Sequence, residues 1–205
     1  MKSLLRRLHA PVYEKRLEVL CKLLGPHLSA GESLLDVGCG SGELGGRLAK
    51  ENVLEVQGLE VRSRESCLIP VTGYDGLHFP FDDRSFDTVL LADILHHEYE
   101  PARVLREAGR VARKRVIVKD HKIDGPLAWT RISFIDWAAN AGYGVPCLYQ
   151  YYSGEEWSDL FQSCQLVEQT VIDSIDLYPP GLNLLFGKSL QYLAVVGRES
   201  ERNST

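Results

Sequence analysis

Asp36 and the glycines at 38, 40 and 42, held in the run LLDVGCGSGELGG, are the residues of this chain best suited to gripping a ligand. An apolar stretch from Ser33 to Val37 reads as a strand, which enters a glycine-rich turn and then a helical pattern from Gly42 to Lys50. Glycine takes turn conformations that side chains disfavour, and bare main chain lets a ligand lie close. Asp36 stands at the last step of that strand, with its carboxyl expected to face the ligand. Two more acids, Glu60 and Asp75, follow the next two apolar stretches. His121 follows the fifth, a residue type able to take a proton near neutral pH.

The glycines alone leave the ligand open. Gly40, Gly42 and Gly45 satisfy G-x-G-x-x-G, and Glu60 supplies the later acid of a dinucleotide site. Counted from Gly38, the first glycine after the strand, the third glycine position is Glu43, and Asp36 would set negative charge beside a pyrophosphate. A cationic nucleoside without phosphate reverses that penalty. S-adenosylmethionine carries an ammonium, a carboxylate and a sulfonium. Asp36 would attract the ammonium, Glu60 would accept from both ribose hydroxyls, and Asp75 would accept from the adenine amino group. All three sit at carboxyl ends of neighbouring strands, where open α/β sheets bind ligands.

The elements that must position these residues alternate. Leucines and valines at 4, 5, 8, 12, 17, 20, 23 and 24 give a helical rhythm over residues 1–30, which Pro11 is expected to split, with a second helix from Val12 to Leu24. Further strands are expected at Val53 to Leu59, Leu68 to Thr72, Phe86 to Ala92 and Arg115 to Lys119, with a helix opened by Pro101 and running to about Ala112. Val61 to Cys67 is too short for a full crossover helix. Ser153 and Glu156 form a capping box for a helix to about Ser163, and Gln165 to Ile172 and Ser189 to Val196 read as a closing strand pair. Strands alternating with helices predict a parallel sheet covered on both faces, an α/β three-layer αβα sandwich in one domain spanning 1–205.

Composition narrows the partners. A net charge of −5 offers no basic footprint for nucleic acid, and Arg103, Arg106, Arg110 and Arg113, with Glu107 among them, read as a solvated helix face. Five scattered cysteines without a C-x-x-C pair fit reduced thiols in a cytoplasmic protein. Arg6, Arg7 and His9 interrupt the apolar core a signal peptide would need, and no run suits a membrane span.

Taken together, LLDVGCGSG (34–42), VQGLEV (56–61), GYDGLHFPFDDRSFDTVLLADILHH (73–97) and LREAGRVARKRVIVKD (105–120) resemble a class I S-adenosylmethionine-dependent methyltransferase, over about half the chain. The resemblance implies a seven-stranded, mostly parallel Rossmann-like sheet with one antiparallel strand. It places Asp36, Gly38, Cys39 and Gly40 at the methionine moiety, Glu60 and Val61 at the ribose, and Asp75 and Gly76 at the adenine. Asp93 matches a position facing the cofactor or reacting group, and one of His96 and His97, from the family's LHH ending, is expected packed near the site. No metal is implied.

Residues 121–152, rich in aromatics, follow the fifth strand over the active-site edge and read as an irregular lid for an apolar or ring-bearing small molecule. His121 is the candidate general base. Asp136, Trp137 and Asn140 are expected to share a helical face that orients the acceptor. Ala92-Asp93-Ile94-Leu95 is no N-P-P-Y tetrapeptide, which disfavours planar amide or adenine nitrogens as acceptors. A non-catalytic cofactor- or protein-binding module and a protein methyltransferase stand as alternatives.

Overall fold

A computed structural model shows the elements in space. It describes residues 2–62, 64, 66–140, 147–178, 181, 183 and 187–198, with the backbone alone for 2–11 and 139. Tyr143, Gly142, Gly144 and Pro146 of the aromatic segment, and the polar tail from residue 199, lie outside the described residues. The helices are α1 (Lys2–Leu24), α2 (Glu43–Asn52), α3 (Pro101–Val111), α4 (Ala128–Asn140) and α5 (Gly154–Ser163). The strands are β1 (Ser33–Val37), β2 (Glu55–Glu60), β3 (Val71–Gly73), β4 (Phe86–Ala92), β5 (Ala112–His121), β6 (Leu166–Ile172) and β7 (Gln191–Arg198).

They form a seven-stranded sheet in the order β3-β2-β1-β4-β5-β7-β6. The first five strands pair in parallel, and β7 runs antiparallel between β5 and β6. The alternation along each strand explains the layers. Leu35, Val37, Val89, Leu91, Val116 and Val118 join the core beneath α3 and α5. Leu34, Leu90, Ile117, Leu193 and Val195 face the opposite core, with Leu20 and Leu24 of α1 and Leu48 of α2. Buried on both faces, such strands read as continuous apolar runs.

Three expectations need correction. α1 passes through Pro11 without a break; a proline removes one helical hydrogen bond, and the turns on either side keep theirs. The segment 121–152 contains a real helix, α4, whose Ala128, Ile132 and Ile135 pack with Tyr151 and Leu190. Val53 belongs to no strand: it caps α2 with a left-handed backbone (φ 55°), and β2 starts at Glu55. The short crossover holds, with no helix among the described residues between Glu60 and Val71. The capping box also forms, Ser153 Oγ accepting from Glu156 N and Glu156 Oε2 accepting from Ser153 N.

Candidate active site

The turn after β1 is built on left-handed glycines, with φ of 67° at Gly38, 58° at Gly40 and 76° at Gly42. A Cβ on Gly38 would stand 2.6 Å from Ile94 Cγ2, and one on Gly42 2.5 Å from Ile69 Cγ1, so backbone and space both exclude side chains there. Glu60 stitches the strand ends together, its Oε2 accepting from Gly40 N (2.9 Å) and its Oε1 from Val61 N (3.0 Å). The Arg64 guanidinium lies over Gly40, 3.1 Å from where a Cβ would be.

Asp36 is buried at 3% exposure and its Oδ2 has no hydrogen-bond partner among the described residues. It faces the start of α2, where a Cβ on Gly45 would come within 2.9 Å of that oxygen. Burial pushes its pKa up to about 7, and the Glu60 charge adds to the rise. Burial likewise raises the Cys39 thiol to about 12, keeping it protonated at neutral pH. At the end of β3, Asp75 Oδ1 accepts from Leu77 N (2.7 Å) and His78 N (2.8 Å), an Asx turn whose amides hold its carboxyl below the usual range. Gly76 (φ 81°) lies beside Val61, whose side chain is half exposed.

Asp93 follows β4 in a left-handed conformation (φ 54°) and pairs with Arg16 of α1 and with Lys119 of β5. Lys119, 1% exposed, also donates to Gln191 Oε1 at 2.8 Å. Burial disfavours the Asp93 anion, but Lys119 and Arg16 overcome it and hold its carboxyl well below the usual range. Burial works against the charge on Lys119 and lowers its pKa.

His96, in the 310 turn Leu95–His97, sits between two acids. Its Nδ1 lies 2.6 Å from Asp120 Oδ1 and its Nε2 3.7 Å from Asp136 Oδ1. Burial opposes the imidazolium, yet Asp120 and Asp136 raise its pKa to about 10. Asp120 is fixed in turn by Leu95 N (3.1 Å) and His121 N (2.7 Å). Asp136 accepts from Tyr151 Oη (2.7 Å) and Asn140 Nδ2 (2.7 Å); burial works against its charge, but His96 and then the Tyr151 hydroxyl outweigh it and depress its pKa. His121 is buried beside them, 5.0 Å from His96 between ring centroids, with Nδ1 3.4 Å from Gln191 Nε2. Burial, then the cationic His96, lower its pKa to about 4.

The structure therefore brings Asp93, His121 and Asp136 to one edge of the sheet, while Asp36, Gly38, Cys39, Gly40, Glu60 and Val61 gather at the β1–β2 end. Asp136 and Asn140 share a face of α4, but Trp137, one residue on, is 53% exposed, as a 3.6-residue period requires. Trp129, Phe134 and Tyr149 are also exposed, whereas Tyr151 and Trp157 are buried. Sequence reasoning missed Arg16, Lys119, Gln191 and Tyr151. Lys119 carried a signal, an ammonium ending the apolar run Val116–Val118; Arg16 carried none, since its partner is 77 residues away.

A family model described as a methyltransferase domain matches residues 35–118, the stretch from β1 through most of β5. The chain is 33% identical over 99 residues to the 27-O-demethylrifamycin SV methyltransferase of Amycolatopsis mediterranei, covering 42% of this chain and 36% of that protein. It is 31% identical over 115 residues to the methyltransferase GfsG of Streptomyces halstedii, covering 49% and 41%. The chain thus spans less than half the length of these curated relatives. Among solved structures, a Burkholderia thailandensis 1,6-didemethyltoxoflavin-N1-methyltransferase, with bound 1,6-didemethyltoxoflavin and S-adenosylhomocysteine, superposes with a TM-score of 0.65 over 89% of this chain and 77% of that one at 15% identity, a likeness of fold. The left-handed glycine turn with its two flanking acids lies within the matched domain, on the matching sheet. By these features residues 35–118 match a methyltransferase domain, on a sheet of the kind that class I S-adenosylmethionine-dependent methyltransferases share.

Proposed function

We propose that this chain transfers the methyl group of S-adenosylmethionine to a small-molecule acceptor. The observation that carries the reading is the buried Asp36 carboxyl, its Oδ2 unpartnered among the described residues, at the mouth of a turn that Glu60 ties to β2. A buried acid gains most from a nearby cation, and the cofactor's ammonium supplies one without any phosphate. The cofactor, when bound, provides an electrophilic methyl. Asp36, Gly38, Cys39 and Gly40 would hold its methionine moiety, Glu60 and Val61 the ribose, and Asp75 and Gly76 the adenine.

The chain's own residues then align the acceptor and keep water out. His121, neutral at pH 7, is the proposed base for an acceptor that must lose a proton; at a pKa of about 4 it holds that proton only weakly. Asp136, already bound by Tyr151 and Asn140, would orient rather than abstract. Aromatic side chains on and after α4 favour an apolar or ring-bearing acceptor. The relatives support a small molecule: two are named as methyltransferases, one of a 27-O-demethylrifamycin, and the superposed structure holds 1,6-didemethyltoxoflavin. Scattered free cysteines support a cytoplasmic setting, and no helix among the described residues is long and apolar enough to cross a membrane.

Calorimetry with S-adenosylhomocysteine and, separately, with NAD tests the cofactor. One equivalent of the former with no heat from the latter is expected, and the opposite pattern would return the glycine turn to dinucleotide binding. For the base, His121→Ala should keep cofactor affinity and lose turnover; unchanged turnover would remove His121 from the chemistry.

A further inference from the structure

Three donor groups converge beside the proposed methyl-transfer site. Among the described residues, His96, His97 and Asp136 each offer one ligand atom, and these atoms lie within 4.8 Å of one another. Asp136 Oδ1 is 3.7 Å from His96 Nε2 and 3.8 Å from His97 Nε2, beyond ordinary hydrogen-bond lengths. A tetrahedral cation with bonds of about 2.1 Å sets its ligand atoms about 3.4 Å apart, so the two Asp136–imidazole separations need close by only a few tenths of an ångström, and the two imidazoles, within 4.8 Å, by at most about 1.4 Å through side-chain rotation.

The surroundings are arranged as metal ligands need. The Asp120 carboxylate engages His96 Nδ1 at 2.6 Å and leaves Nε2 directed at Asp136. Backbone amides of Leu95 and His121 hold Asp120 in place. Tyr151 Oη donates to Oδ2 on the far side of the Asp136 carboxylate, and Asn140 Nδ2 donates to Oδ1 itself, so both oxygens are held in orientation. A carboxylate behind the imidazole and donors behind the ligating carboxylate are the outer contacts that fix a metal's ligands. His96 and Asp136 are buried, while the His97 side chain retains 19% exposure, which leaves one side of the triad approachable from solvent.

We propose that His96, His97 and Asp136 form a three-ligand site for a first-row transition dication, with a fourth position open to water or a small oxygen ligand. Two imidazole nitrogens and one carboxylate oxygen suit zinc, cobalt or iron better than magnesium or calcium, which prefer all-oxygen shells.

The test uses the full chain after treatment with a chelator, titrated with zinc by calorimetry and with cobalt by absorption. One equivalent per chain is expected, with the d–d bands of a four-coordinate cobalt site and no thiolate charge-transfer band. His97→Ala, a half-buried position, should weaken zinc at least tenfold and by about 100-fold if the ligand set is as proposed. Asp136→Asn should do the same, with circular dichroism confirming that both variants fold. No saturable binding, a thiolate band from the five cysteines, or a loss under tenfold in both folded variants overturns the site. The readout is metal binding itself, so the result is independent of whether the chain transfers methyl groups.

Discussion

In the proposed cofactor site, Asp36 is the group whose titration would make binding respond to pH. Its carboxyl, raised to about 7 by burial, is largely protonated at pH 5 to 6 and ionised above 7. A bound ammonium favours the ionised form. Affinity for S-adenosylhomocysteine should therefore strengthen with rising pH, by at most about tenfold per unit, and level off above 7. Asp36→Asn should flatten that profile in calorimetry; a flat profile in the unsubstituted chain would contradict the raised pKa. The linkage to folding has the opposite sign. In the unfolded chain the group ionises near its ordinary value, so the contribution of Asp36 to stability is fully present below about pH 4 and is lost as pH rises to about 7, a change of a few kcal/mol from this group alone. Asp93 shows the other kind of dependence. Asp93→Ala would leave the buried Lys119 without its anion and should cost about 3–5 kcal/mol in urea denaturation. Adding Lys119→Met should recover part of that loss, because the buried ammonium is then gone and only the partly exposed Arg16 has lost its partner.

At the level of elements, the unit that matters most is β1, its turn and α2. Gly42 caps α2 from a left-handed conformation, and Ile69 occupies the space beside it. Gly42→Ala should lower stability by about 2–4 kcal/mol, from strained backbone and overpacking together. Gly31→Ala is the control, since its φ of 82° imposes the strain while no atom lies within 4 Å of the added carbon. A larger loss at Gly42 than at Gly31, measured by chemical denaturation, isolates the packing against Ile69. Equal losses would assign the whole effect to backbone conformation. α4 depends on its polar face as well as its apolar one, because Asp136 reaches Tyr151 and lies near His96 while Ile132 and Ile135 pack inward.

At the scale of the whole molecule, the antiparallel β7 completes the site by bringing Gln191 beside Lys119 and His121. Arg16 ties α1 to the same edge through Asp93. The site therefore joins the first helix, the central strands and the last strand, and a cofactor bound to it stabilises only the folded chain. At 100 times its Kd, S-adenosylhomocysteine should add about 2.7 kcal/mol, a rise in Tm of about 5–10 °C for a domain of this size. Calorimetric melts with and without the ligand check this, and an unchanged Tm at saturation would speak against binding to the folded state.

The local features were legible in the sequence itself. Ser33–Val37 and Phe86–Ala92 match their expected strands residue for residue, because each is an apolar run closed by turn residues. The glycine turn and the Ser153–Glu156 capping box are likewise decided by neighbours in sequence. α4 was legible only in part, through the helical spacing of Asp136 and Asn140, because exposed Trp129, Phe134 and Trp137 blur its apolar stripe. The continuity of α1 through Pro11 was not legible: local preference there gave way to the helix on either side. The tertiary structure alone decided which charges meet: Asp93 with Arg16 and Lys119, and His96 with Asp120 and Asp136. Those partners are far apart along the chain, and only the strand order and the packing of α1 and α4 bring them together. Pairing across such distances depends on burial, which residue spacing does not encode.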